Sequence, residues 1–363
     1  MYFEQIPALF TLFFTFYGGT AMVALLATIY LCLRKVNVFA PGVTPPRTLS
    51  RWTATFFGFM FLDHIWWLLF YIFSGELYSV GSVVIAVLDS VVLLTTLPGM
   101  LFAMLQDRRR TVWPVALATI PYAILASLII VYHAVGFVEL AIGYILTVYV
   151  LFAIYMVFAV RQYGRWLRDN YADLEHKEVW VSHLLVLGIL MIIIIDGIEY
   201  LNITVCCFVQ LIEMVLVGLL LWRVETLPQL ESTPAEQRTL KQEQSMVIPS
   251  NIEQLLTEHC VNTKLYLQHD LTLLQLAQAI GTNRLYLSRY FSRQGITYNA
   301  YINDLRISYF MSLYHEKTAA GQPIVAQQLA SASGYRSYST FSLAFKQRTG
   351  QSLTAWLHSQ STD

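Results

Sequence analysis

From Pro7 to Trp222 the chain is built of long apolar runs separated by short polar ones. Runs of about twenty apolar residues are long enough to cross the hydrocarbon core of a bilayer as helices. Seven are present: Pro7–Leu33, Trp52–Phe73, Tyr78–Leu105, Trp113–Tyr132, Phe137–Val160, Val179–Tyr200 and Asn202–Trp222. Only Tyr200, Leu201 and Asn202 mark the turn between the last two. The first run is too long for the apolar stretch of a cleaved leader, and no basic residue precedes it. Past Trp222 the pattern changes. Thr226–Val247 sets Pro228 and Pro234 among Glu, Gln, Ser and Thr, which fits either a flexible tether or a stalk helical over Ala235–Gln244.

After Pro249 short amphipathic helices follow at 3.6-residue spacing. The first covers Asn251–Lys264. Thr272 and Gln275 form a capping box that opens a helix over Leu273–Ile280, and Gly281 ends it with a left-handed turn. Asn283 caps the next, Arg284–Gln294. A helix, a glycine turn and a second capped helix make a helix-turn-helix, whose second member enters a major groove. The unit recurs: Leu276-Ala277, Gly281, Leu287, Phe291 and Gly295 are echoed by Leu329-Ala330, Gly334, Phe341, Phe345 and Gly350. Thr297–Tyr314 has the length and period of a helix joining the two. One such pattern is weak; two in register are specific.

The whole chain has a formal net charge of zero and only 13 % charged residues, but this averages two unlike halves. In the apolar half every Lys and Arg lies in alternate loops: Arg34, Lys35, Arg47 and Arg51; Arg108, Arg109 and Arg110; Arg161, Arg165, Arg168 and Lys177; then Arg223 after the last run. Loops around Ser74–Leu77, His133–Gly136 and Tyr200–Asn202 carry none. Positive charge stays on the cytoplasmic side, so the N-terminus is expected outside and the C-terminal part inside. Between Lys264 and Leu357 nine basic residues (Lys264, Arg284, Arg289, Arg293, Arg306, Lys317, Arg336, Lys346, Arg348) face three acids (Asp270, Asp304, Glu316), an excess suited to phosphate neutralisation.

Several stretches resemble the AraC family of transcriptional regulators: Leu276-Ala-Gln-Ala-Ile-Gly281, Tyr286-Leu-Ser-Arg-Tyr-Phe291, Tyr301-Ile-Asn-Asp-Leu-Arg306 and Ser339-Thr-Phe-Ser-Leu-Ala-Phe-Lys-Gln347, with Thr349-Gly350 behind it. The likeness covers roughly Val247–His358. It departs at Gly334-Tyr335, where Gly-Phe is usual, in lacking a proline after the final glycine, and at Leu343, where an arginine often stands. The resemblance implies two helix-turn-helix motifs, promoter DNA as partner, a homodimer and contact with RNA polymerase. The fused spans are similar to those of membrane-bound regulators of this family in anaerobic gut bacteria, which implies a bacterial cytoplasmic membrane. The expected architecture is therefore all-α: a seven-helix transmembrane domain (1–225), a polar linker (226–247) and a cytoplasmic seven-helix double helix-turn-helix domain (248–363). Helix geometry with the family match puts Leu285, Ser288 and Arg289 on the DNA face of the first motif, Arg289 suited to a guanine edge. In the second motif the face is Tyr338, Ser339, Thr340 and Leu343, with Arg336 and Ser337 at the helix start and Lys346 and Arg348 toward phosphate.

Ionisable residues within membrane spans are costly and mark cavities, ion pairs or ligand sites. Here they are Asp63, His64, Asp89, Glu139, Asp196, Glu199 and Glu213. The set of Asp63, His64, Asp89, Asp196, Glu199 and Glu213 is expected to sense a signal; inter-helix hydrogen bonding is the plainer alternative. Its acidity suits a cationic, amine-bearing or hydroxyl-rich ligand, though a small molecule, a lipid or a protein could each be the signal. His64, His133 and His183 fall at different depths, against a bis-histidine haem. Cys32, Cys206, Cys207 and Cys260 lack metal-ligand spacing, and His-Glu-x-x-His and Gly-x-Ser-x-Gly are absent, so neither metal, cofactor nor catalysis is expected. A transporter or a receptor with a protein-binding tail is the rival reading, weakened by the lack of paired broken helices.

Overall fold

The computed structural model describes residues 8–74, 80–132, 136–174, 203–230 and 251–360, with Lys177, Val179 and Gly188. Over these residues the protein is all-helical, and one isolated antiparallel bridge, between Tyr171 and Thr272, is its only β pairing. The chain divides into two compact units: Met1–Tyr163 with Val179–Glu231, and Gly164–Glu178 with Ser232–Asp363.

The first unit contains α1 (Ala8–Leu33), α2 (Arg47–Ser74), α3 (Val80–Met104), α4 (Trp113–Leu117), α5 (Thr119–Tyr132), most of α6 (Gly136–Asn170) and α7 (Ile203–Thr226). Among the described residues six segments are long and apolar enough to cross a membrane, α4 and α5 together making one. The expected span Val179–Tyr200 lies outside the described residues apart from Val179 and Gly188, and Asp196 and Glu199 go with it. Large apolar side chains such as Leu26, Ile72, Ile124, Phe158 and Phe208 point outward, whereas α1 buries Thr20, Ala21, Ala24 and Ala27. This is the arrangement lipid selects. Between helices in a bilayer there is little hydrophobic drive, so small residues permit close packing and polar ones bond across the contact. Accordingly Thr20 Oγ1 donates to the Gln210 carbonyl at 3.1 Å.

Two helices outrun their apolar runs. α6 continues ten residues past Val160, and α7 four past Trp222. Hydropathy marks where a helix leaves the bilayer, not where it stops, and nothing in Arg161–Asn170 breaks it. Beyond α7 the beginning of the expected linker is packed: Leu227 and Leu230 are buried, Gln229 N donates to Thr44 O at 3.0 Å, and the Gln106 amide holds both Pro228 O (3.0 Å) and Leu230 N (2.8 Å). At the end of α7 Glu225 accepts from Arg34 at 2.8 Å and from the Tyr30 hydroxyl at 3.2 Å.

The second unit comprises α8 (Ile252–Leu256, prolonged by a π-helical turn over Thr257–Val261), α9 (Leu273–Ala279), α10 (Arg284–Arg293), α11 (Tyr298–Ala319), α12 (Ala326–Ala332), α13 (Tyr338–Thr349) and α14 (Leu353–Gln360). The capping box at Thr272 is present in full. The pairs α9/α10 and α12/α13 share their joints. Thr282 N reaches Ala277 O at 2.9 Å and Tyr335 N reaches Ala330 O at 3.2 Å, each across a glycine with positive φ. Asn283 and Ser337 then cap α10 and α13. Each pair has its own core, the first including Leu276, Leu287 and Phe291, the second Leu329, Phe341 and Phe345.

Helix α11 serves both. Tyr298 and Ile302 enter the first core, Ile307, Phe310 and Tyr314 the second. Between them Arg306, 1 % exposed, donates from Nε to Tyr266 O (2.7 Å) and from Nη2 to Gln268 O (2.8 Å), with its guanidinium 5.4 Å from the Tyr335 ring centre. Arg306 therefore joins the two halves from inside. The charge count of the sequence is corrected accordingly: this cation faces carbonyls, not solvent.

Candidate nucleic-acid interface and membrane cavity

On α10 the Asn283 cap satisfies Tyr286 N at 2.9 Å, which fixes the helix start and with it the residues of its outer face. Leu287 and Phe291 face the core, so Leu285 and Arg289 stand exposed and Ser288 half-buried. Among the described residues Arg289 and Arg293 form no ion pair. On α13 the equivalent cap is Ser337, whose Oγ accepts from Thr340 N at 3.3 Å and lies 2.9 Å from Thr340 Oγ1. Ser337 thus holds the helix end, and Thr340 is half-buried beside it. Tyr338, Ser339 and Leu343 are exposed, Leu343 at 59 %. Lys346 is exposed without an ion pair among the described residues, while Arg348 pairs with Asp304 at 2.8 Å.

Sequence reasoning passed over one cluster. Arg336 Nη1 lies 3.1 Å from Asp270 Oδ2, and Lys177 Nζ lies 2.9 Å from Asp270 Oδ1. Burial alone would raise the Asp270 carboxyl. The hydrogen bond and charge of Lys177, with Arg336 beyond, outweigh it and hold the pKa below the usual range. Such a group contributes stability above its unfolded pKa and loses it as pH falls through the lower folded value, so this junction stays ionised at neutral pH. Arg284, at the start of α10, gives Nε to Asn170 Oδ1 at 2.8 Å. No signal local to the tail could have revealed partners a hundred residues away.

In the first unit the structure brings Asp63, His64, Asp89 and Glu213 together around a cavity of about 700 Å³. Its walls are largely aromatic, among them Phe13, Tyr17, Phe56, Phe59 and Trp67. Both indole N–H groups of Trp66 and Trp67 donate to Asp89, at 3.1 and 2.7 Å. His64 Nδ1 lies 2.8 Å from Met60 O and 3.9 Å from Asp63; Nε2 lies 3.2 Å from Gln210 Oε1 and 3.6 Å from Glu213 Oε2. That Glu213 oxygen is buried and, among the described residues, has no hydrogen-bond partner. Glu139 does not join the set; it is exposed in the first turn of α6. Among the described residues no group of His, Cys, Asp and Glu has the arrangement of a metal site.

Comparison with known proteins bears on the second unit. The profile of an AraC-type helix-turn-helix domain matches residues 276–359, from α9 to the end of α14. Such a domain is a DNA-binding regulatory module, and the match extends to no part of the first unit. No curated protein matches, and no solved structure does.

Proposed function

We propose that the chain is a membrane-integrated one-component transcriptional regulator, in which the membrane unit senses a signal and the C-terminal unit binds promoter DNA through both helix pairs. The supporting observation is the pair of capped helices, α10 and α13, braced on one helix by separate cores and presenting Leu285, Arg289, Tyr338, Ser339 and Leu343 outward. In this reading Val179–Tyr200 is a seventh span, the N-terminus is outside, and the C-terminal unit lies in the cytoplasm of a bacterium. Two copies act as a dimer that contacts RNA polymerase.

The test is DNA binding by the purified full chain in nanodiscs, using duplexes selected from random sequence on the same preparation. Arg289→Ala is expected to cost about 1–3 kcal/mol on the selected site and to relax preference at one base pair. Lys346→Ala should weaken all duplexes alike and flatten the salt dependence. An Arg289→Ala protein with unchanged affinity and base preference would remove α10 from the interface.

The cavity supports the sensing half of the proposal. Three carboxyl groups against one imidazole, within aromatic walls, favour a ligand carrying an amine or other cationic group, through carboxylate pairing and cation–π contact. Glu213→Gln and Asp89→Asn keep shape and most hydrogen bonds. Both variants should fold and insert normally, while a reporter promoter bearing the selected site no longer responds to its inducer. Well-folded variants that respond normally would reduce these acids to structural hydrogen-bonding groups.

A further inference from the structure

The end of α6 and the residues after it, Gly164–Glu178, belong to the C-terminal unit although the 53 residues Val179–Glu231 separate them from the rest of it. Three kinds of contact hold them there. The first is main chain: Tyr171 bridges Thr272, the cap of α9, and Ala172 N donates to Leu271 O at 3.2 Å. The second is apolar: Ala172, 2 % exposed, sits inside the first core. The third is polar. Asn170 Oδ1 receives Arg284, Asn299 Nδ2 donates to Tyr171 O (3.2 Å) and Ala172 O (2.7 Å), and Lys177 reaches Asp270. The segment thereby touches the starts of α9, α10 and α11 together.

We propose that this surface, made by Leu271–Thr272, Arg284 and Asn299, is the docking site for Asn170, Tyr171 and Ala172, and that α6 sets the position of the first helix pair through it. The proposal rests on the DNA-binding reading and adds the route of control, α6 rather than the chain after α7. That α6 is one uninterrupted 35-residue helix supports it, since a helix carries rotation and displacement to its end. So does the start of the chain after α7, which is tied back within the first unit by Gln106 and Thr44. With the segment docked, Leu285, Arg289, Tyr338 and Leu343 remain exposed, so the docked arrangement is the one that binds DNA.

The experiment uses the full chain in nanodiscs with the selected duplex. Paired residues of an antiparallel bridge hold their Cβ atoms about 4.5–5.5 Å apart, near disulfide reach. A Tyr171→Cys, Thr272→Cys pair should therefore cross-link on oxidation and keep DNA affinity within about twofold, a small fraction of the 1.4 kcal/mol that tenfold represents. A single alanine inserted after Arg165 turns everything beyond it by about 100°. It should lower both the cross-linking yield and DNA affinity, the latter by about tenfold or more. The same insertion after Leu240 should change neither. Absence of cross-linking, loss of DNA binding on oxidation, or equal effects of the two insertions would each overturn the docking proposal while leaving the DNA-binding reading in place. Failure to recover any duplex would sink both.

Discussion

Arg306→Met is expected to destabilise the C-terminal unit by about 2–5 kcal/mol, the cost of leaving two backbone carbonyls without their donor. Methionine replaces most of the aliphatic stem but gives nothing to Tyr266 O or Gln268 O, which accept from Arg306 at 2.7 and 2.8 Å. An orphaned buried carbonyl costs about 1–3 kcal/mol, less for the part-buried Gln268 O, and the contact with the Tyr335 ring is lost as well. Burial pulls the arginine's pKa down, with Tyr335 foremost among the groups opposing it, and arginine's very high starting value keeps the side chain charged. Denaturant unfolding of the full chain followed by a reporter in the second unit would measure the loss. Arg306→Lys should fall between, since one ammonium cannot reproduce a planar fork. A methionine variant within about 1 kcal/mol of the parent would show that the two halves do not depend on this joint.

Gly334→Ala should cost about 2–4 kcal/mol, from left-handed backbone strain together with overpacking. At Gly334 φ is +88°, and a Cβ there would lie 2.9 Å from both Cα and O of Leu267 and 3.1 Å from Arg306 Nε. Two of those three atoms are backbone and cannot swing aside. Gly281, the matching position in the first helix pair, supplies the control. Its φ is +69°, but nothing lies within 4 Å of a Cβ built on it. Gly281→Ala should therefore carry only the conformational penalty, about 1–2 kcal/mol. Equal melting temperatures for the two variants would remove the argument from close approach.

Helix type and most helix starts were legible because the signals are local. The Thr272–Gln275 box, the Asn283 cap and the spacing of Leu276, Leu287 and Phe291 are each contained within a few residues, and the structure has them as expected. So was the meeting of Asp63, His64, Asp89 and Glu213, since polar groups in apolar spans must find one another. What the sequence concealed was long-range. Arg306 counts as surface charge until the fold puts carbonyls around it. Hydropathy could not see α6 running on to Asn170, because polarity changes at the membrane boundary while helical preference does not.

The Tyr171–Thr272 bridge also sets an order of events during synthesis. Asn299 and the carbonyls it clamps are 127 and 128 residues apart, so this part of the first core closes only after a long loop has formed, and such contacts are made late. The strand-like piece waits on the chain made first, and the site that receives it emerges from the ribosome last. A tail expressed alone from Ser232 would lack Ala172 and leave Leu271 and Leu273 beside an open edge of main chain. Poor solubility of such a fragment would then reflect a missing wall of its own core, and co-expression with a helix carrying Gly164–Lys177 is the remedy the fold points to.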